Sequence, residues 1–235
     1  MTPLYRAVLE GDLAEVRKEL TRGADVNERN LDNRWTVLMV AVAEGFPEVV
    51  AELLASSVID VNARAERGLT ALHVAAERSD ERAMELLLAH PAIDANAKDD
   101  LGRTPLIIAA FAGETALVKR LLAHPDLEVN AVDRDRQTAL VWAALGGNVG
   151  VVRALLADPR TNPSITNRPD GRTALEIAVA AGNEAAAEAL RERLATDPGE
   201  DRLAPGDPYE PRVERATVLR GPLRPDPPEP QRPAS

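Results

Sequence analysis

Three histidines, His73, His90 and His124, are the side chains whose type suits proton transfer or metal ligation near neutral pH. Their surroundings favour structural roles. His73 closes the run LTALH, while His90 and His124 each precede a proline in matched HP turns. The last two come near each other only if the chain repeats, and without a fixed carboxylate or thiolate beside them they make a poor zinc site. The absence of cysteine removes disulfides, a thiolate nucleophile and thiolate zinc ligands together. No nucleophile-elbow, phosphate-loop or zincin pattern occurs. LGGN at 145–148 is a helix stop, since it neither follows a strand nor carries the lysine of a nucleotide cradle. The expectation is a protein that is not an enzyme and binds no cofactor or metal.

Charge narrows the partners further. The net charge is −10, and lysine occurs only at Lys18, Lys98 and Lys119. A nucleic-acid binder needs a basic stripe to neutralise phosphates, and none is visible, so no nucleic acid is expected. No apolar run reaches the ~18 residues of a membrane span, so no membrane insertion is expected. The opening MTPLYRAVLEGDLAEV lacks the basic start and apolar core of a secretory signal. The chain is therefore expected to begin where the mature protein does, and to be a soluble cytoplasmic monomer.

The elements that position these residues come from a repeat. Thr2, Thr36, Thr70, Thr104, Thr138 and Thr173 open the segments TPLYRAV, TVLMVAV, TALHVAA, TPLIIAA, TALVWAA and TALEIAV, at spacings of 34, 34, 34, 34 and 35 residues. In GRTPLIIAAFAG, Thr104 is a helix N-cap whose hydroxyl accepts an unpaired amide, worth about 1 kcal/mol. Pro105 sits at the first helical position, where its missing N–H costs nothing. Leu106, Ala109 and Ala110 form the buried face, and Gly113 ends the helix in a left-handed conformation. Leu117, Val118, Leu121 and Leu122 then recur at helical spacing in a second helix. An extended, turn-rich segment with a recurring asparagine (Asn27, Asn62, Asn96, Asn130) leads to the next threonine, and these asparagines are expected to bond local backbone.

This pattern resembles the ankyrin-repeat family in all six units, over about four fifths of the chain. The resemblance implies an all-α repeat solenoid of stacked helix-hairpin pairs with projecting β-hairpin fingers, cupped and L-shaped. The units are placed at 1–30, 31–64, 65–98, 99–132, 133–167 and 168–195. It also implies that His73 ties its helix start to the finger. The end units are polar or thinned, as terminal repeats should be: Arg6 and Glu15 stand where the fourth unit has Ile108 and Leu117, and Ala186, Ala187 and Arg191 where the fifth has Val151, Val152 and Leu156. Six repeats are therefore expected to be the complete stack.

The register separates packing residues from candidate contacts. Trp142 shares its place with Val40, Val74, Ile108 and Ile177, which predicts an interior position. The residue before the threonine is Trp35, Leu69, Arg103, Gln137 or Arg172; the one after the Ala-Ala pair is Ala43, Glu77, Phe111, Leu145 or Ala180. In the family both places face the concave surface. A large apolar group where sister units accept Glu77 or Gln137 is not demanded by the core. The predicted contact set is Trp35, Arg67, Leu69, Arg78, Arg103, Phe111, Gln137 and Leu145, with Asp100 and Asp135 at its border, facing an unknown protein partner. Two finger glycines are replaced by Arg34 and Arg136, which predicts either a strained left-handed backbone or a reshaped turn. The first and fifth fingers read one residue longer than the others.

Residues 196–235 hold 10 of the 18 prolines and read as a disordered tail. Within it, RPDPPEP at 224–230 fits a proline-reading ligand, and VERATVLRG has mild apolar character. The alternative to a partner on the concave face is a structural or assembly protein whose Pro-rich tail makes the main contact.

Overall fold

A computed structural model of the chain describes residues 1–168 and 170–196. The tail readings beyond Thr196, including RPDPPEP and VERATVLRG, lie outside the described residues.

Each threonine does what its place demands. The hydroxyls of Thr2, Thr36, Thr104, Thr138 and Thr173 accept the N–H of Tyr5, Met39, Ile107, Val141 and Glu176 at 3.2 to 3.4 Å. Behind them lie α1 (Pro3–Glu10), α3 (Val37–Glu44), α5 (Ala71–Arg78), α7 (Pro105–Ala112), α9 (Ala139–Gly146) and α11 (Ala174–Ala180). Their partners are α2 (Leu13–Thr21), α4 (Pro47–Leu54), α6 (Glu81–Leu88), α8 (Thr115–Leu122), α10 (Val149–Leu156) and α12 (Glu184–Thr196). Gly113 stops α7 with φ 80°, and a Cβ there would run into Asn148. That asparagine is itself used: its amide donates to the carbonyls of Ala110 and Phe111, so the next repeat satisfies orphan groups at the end of α7. Asn183 repeats the device on Ala144 and Leu145.

Odd-numbered helices pack in one row and even-numbered helices in a second, each hairpin also packing within itself. The inner row is enclosed by neighbours on both sides, so residues 105–110 of α7 are all buried. The outer row is amphipathic: Leu117, Val118 and Leu121 are buried, while Lys119 and Arg120 face solvent. Alanines at Ala75, Ala76, Ala109, Ala110, Ala143 and Ala144 are fully covered and let adjacent inner helices approach closely. One continuous core therefore runs from Leu4 to Leu190. At the last unit Ala186 and Ala187 are also fully buried, the small side chains closing the stack.

The fingers are tighter than extended strands. A backbone bond closes each of them: Ala65 to Leu69 (2.8 Å), Asp99 to Arg103 (2.9 Å) and Asp133 to Gln137 (3.1 Å). In the longer first and fifth fingers the bonds run from Asn30 to Trp35 (2.9 Å) and from Asn167 to Arg172 (3.0 Å). Among the described residues the sole β-bridge is Arg29 to Thr36. Successive fingers are then pinned tip to tip through Glu66 N to Asn33 O, Asp100 N to Arg67 O, Arg134 N to Leu101 O and Arg168 N to Asp135 O, at 2.7 to 3.0 Å. Arg34 and Arg136 keep the left-handed backbone, with φ of 59° and 56°, so the turns are strained rather than reshaped, by about 1–2 kcal/mol each. Ser79, in the helix-stop place of the third unit, is left-handed as well (φ 56°).

The asparagines reach farther than local turn chemistry predicts. Asn96 donates to Asp126 O at 2.7 Å and accepts from Glu128 N at 2.8 Å. Asn27, Asn62 and Asn130 make the same pair of bonds to Val58 and Asp60, to Ala92 and Asp94, and to Arg160 and Asn162. They form a ladder between repeats, because stacking brings the equivalent loop of the next unit nearer than the residue's own flanks.

Candidate partner-binding surface

In the third and fourth fingers a carboxylate organises the finger-side face, in the place that Asn30, Ala65 and Asn167 take in the others. In the third finger Asp99, 2% exposed at its side chain, accepts the N–H groups of Leu101 and Arg103 on Oδ1 and two guanidinium nitrogens of Arg103 on Oδ2, at 2.6 to 2.9 Å. Arg103 is thereby locked, its side chain 13% exposed. It is an internal partner and not the free rim cation the sequence suggests. In the fourth finger Asp133 accepts the N–H of Asp135 and of Gln137 in the same way, at 2.9 and 2.8 Å. With glutamine in place of arginine, its second oxygen is taken by Trp142 Nε1 at 2.9 Å.

That bond draws the indole out of the interior that Val40, Val74, Ile108 and Ile177 occupy. Trp142 is half-buried, and Phe111 meets it edge to face, centroids 5.1 Å apart and planes at 88°. Such a pair adds roughly 0.5–1.5 kcal/mol beyond area burial. Phe111 remains 39% exposed and Leu145, one repeat on, 43%. Beside Leu145 lies a cleft of about 270 Å³ lined by Gln137, Asn167, Arg172 and Ile177 among others. The Oε1 of Gln137 is buried with no hydrogen-bond partner among the described residues.

The other predicted contacts divide. Trp35 is half-buried against the core, its N–H held by the side chains of Asn30 and Asn33. Arg67 and Arg78 are exposed. Leu69, only 5% exposed, contributes nothing to an apolar surface; the second finger folds its side chain inward. Glu77 is half-buried on this face, and burial raises its carboxyl pKa even though Arg103 and Arg67 oppose the rise. Trp142, which the register places inside, is the half-exposed residue of this face that sequence reasoning misses; the signal for it is Asp133 nine residues upstream, left without an arginine.

His73 is fully buried. Its Nδ1 accepts Thr70 N–H at 3.2 Å and lies 2.8 Å from Thr70 Oγ1, so the proton sits on Nε2 and points to Arg103 O at 3.0 Å. Burial lowers its pKa, against the pull of that carbonyl. The helix start is thus tied to the next finger. His90 Nδ1 accepts Ala92 N–H at 3.2 Å. Among the described residues no helix is long and apolar enough to cross a membrane.

A family model described as "Ankyrin repeats (3 copies)" matches residues 4–99 and again residues 106–201. The chain belongs to the ankyrin-repeat family. An ankyrin repeat domain from Acinetobacter baumannii AYE has a similar structure, with 26% identity and a TM-score of 0.74 over 81% of this chain and 97% of that one. A second solved ankyrin repeat protein has a TM-score of 0.74 at 24% identity, over 81% of this chain and 96% of its own, and shares the fold. No curated protein matches by sequence. Ankyrin repeats are in general protein–protein interaction modules rather than enzymes.

Proposed function

We propose that this ankyrin-repeat protein is a non-enzymatic binding module that holds a partner protein on its finger and inner-helix face, centred on Phe111, Trp142 and Leu145. The observation that carries the reading is the exposed Phe111 braced on Trp142, which Asp133 holds in turn. Aromatic groups fixed before contact lose little entropy on binding, and they dominate interface energies. Trp35 and Arg78 lie farther out on the face, and Gln137 lies at its centre with its amide oxygen buried. Leu69 and Arg103 are left out, since burial and the Asp99 pair occupy them. The action is steric: the module holds or masks its partner.

The test is affinity capture from native lysate with the full chain and with a Phe111→Glu/Leu145→Glu variant, both verified as folded by circular dichroism. A protein retained by the wild type and lost from the variant supports the reading. Equal capture by both sinks it, and capture abolished only by deleting residues 197–235 transfers the contact to the tail.

A further inference from the structure

The fingertips carry arginines that neither the core nor the aromatic cluster uses. Arg34, Arg67 and Arg136 have φ of 59°, 61° and 56°, a region where a Cβ crowds its own backbone. Asparagine and aspartate visit it with the help of local hydrogen bonds, which arginine cannot make. At the place of Arg34 and Arg136 the other fingers carry Gly68, Gly102 and Gly171, with φ of 73°, 77° and 63°. A Cβ at Gly68 or Gly102 would strike the following finger, whereas at Gly171 nothing lies within 4 Å. The open fifth finger thus shows glycine where nothing but backbone strain requires it. Arginine at 136 accepts that strain, and its side chain returns no internal bond among the described residues. Backbone strain without a structural reward points to function.

Arg136 has company. The tip-to-tip bonds Arg134 N to Leu101 O and Arg168 N to Asp135 O, at 3.0 and 2.7 Å, set three successive tips side by side. Arg134, Arg136 and Arg168 are exposed along them, and Arg172 borders the cleft beside Leu145. Among the described residues none of these four side chains makes a hydrogen bond or ion pair, while Arg64, Arg103 and Arg160 do. The exposed carboxylates on the fourth and fifth tips are Asp135 and Asp170. Arg134, Arg136 and Arg168 thus line the tips beside Asp135 and Asp170, while Arg172 also faces the Glu176 carboxylate, in a chain whose net charge is −10.

We propose that this ridge is the receptor for an acidic polypeptide segment, whose carboxylates pair with Arg134, Arg136 and Arg168 while one of its apolar side chains enters beside Leu145 and Phe111. The proposal rests on the partner-binding reading above and adds the partner's chemistry. Guanidinium forks match carboxylates bidentately. The apolar entry and the interleaved Asp135 and Asp170 favour a polypeptide over nucleic acid, whose regular phosphates call for an uninterrupted basic track.

The experiment selects a random dodecapeptide library on phage against the full chain and measures the enriched peptides by fluorescence anisotropy. Enriched peptides are expected to combine several Asp or Glu with a Leu or aromatic residue, and to lose about tenfold in affinity between roughly 50 and 300 mM salt. A triple Arg134→Glu/Arg136→Glu/Arg168→Glu variant, checked for folding, is expected to lose at least about tenfold. Arg136→Gly is expected to lose about two- to fivefold while its melting temperature rises by roughly 2–4 °C. Neutral or basic enriched peptides, no enrichment, or equal binding by the arginine variants would overturn the proposal. So would binding of single-stranded oligothymidylate in place of any peptide. Loss of binding in Phe111→Glu with none in the arginine variants sinks the acidic segment alone and leaves the partner-binding reading standing. Loss in the arginine variants with none in Phe111→Glu removes the aromatic centre from that reading.

Discussion

The indole N–H of Trp142 donates to Asp133 Oδ2 at 2.9 Å, in the place where the preceding finger uses the guanidinium of Arg103 on Asp99. One substitution of partner has two results. The finger carboxylate stays satisfied, and a ring that sister repeats bury as valine or isoleucine is held at the surface under Phe111. Gln137 does not take over the arginine's task, and its Oε1 is left buried without a partner among the described residues.

Replacing Trp142 with phenylalanine tests this bond. Asp133 Oδ2 loses its donor inside a buried site, and the expected destabilisation is about 1–2 kcal/mol by urea unfolding. The edge-to-face contact with Phe111 is expected to persist in weaker form. In a Trp35→Phe background, where Trp142 is the one remaining indole, its fluorescence is expected to respond to Phe111→Ala. An unchanged spectrum would show that the two rings are not in contact in solution.

His73 makes stability depend on pH in a defined direction. Its folded pKa lies below the ordinary 6.5, so the unfolded chain binds the proton more readily. The His73 contribution is therefore complete above about pH 6.5 and declines as pH falls below it. Urea midpoints taken from roughly pH 7.5 to 5.5 are expected to fall in the wild type and to fall less in His73→Gln. The variant should also be less stable at the upper end, by about 1–3 kcal/mol, since it loses the ties to Thr70 and Arg103. A steeper acid decline in the variant would contradict the assignment.

The asparagine ladder predicts a cost that crosses repeat boundaries. Asn96→Ala removes the partners of Asp126 O and Glu128 N together. A loss of about 1–2 kcal/mol is expected, with amide exchange accelerating around residues 125–131, in the repeat after the one mutated. Faster exchange confined to residues 94–98 would favour a purely local role.

Ser79 offers a gain. Its φ of 56° strains a residue whose sister places hold glycine, while its hydroxyl donates to Glu114 at 2.8 Å at an exposed position. Relief of strain should outweigh an exposed hydrogen bond. Ser79→Gly is expected to raise stability by a few tenths to about 1 kcal/mol in thermal or urea unfolding.

What was legible in the sequence is the chemistry that acts within a few residues. Thr104, Pro105 and Gly113 announce the start and end of α7 because caps and left-handed stops depend on neighbours only one turn away. The period then places every helix. Side-chain direction on the fingers is a different matter. Trp35, Leu69 and Gln137 share one place in the repeat, yet Leu69 is buried and the others are half-exposed, since each finger lies on a different neighbour. Trp142 departs from its place in the register for a related reason: the place accepts valine, while the longer indole stays half-exposed and reaches Asp133. The asparagines looked local because their partners stand 30 to 33 residues away along the chain.

Every rung of that ladder points the same way. Asn27, Asn62, Asn96 and Asn130 each hold the loop that follows them, and none of these four side chains holds a loop before it. On a ribosome, where about 5–20 residues emerge each second, a finished unit already displays the amide that will catch the next loop some seconds before that loop exists. Synthesis and assembly can then proceed in the same direction, each repeat acting as the mould for its successor, and a stalled chain would end on a loop whose mould is complete and whose own catch is still empty.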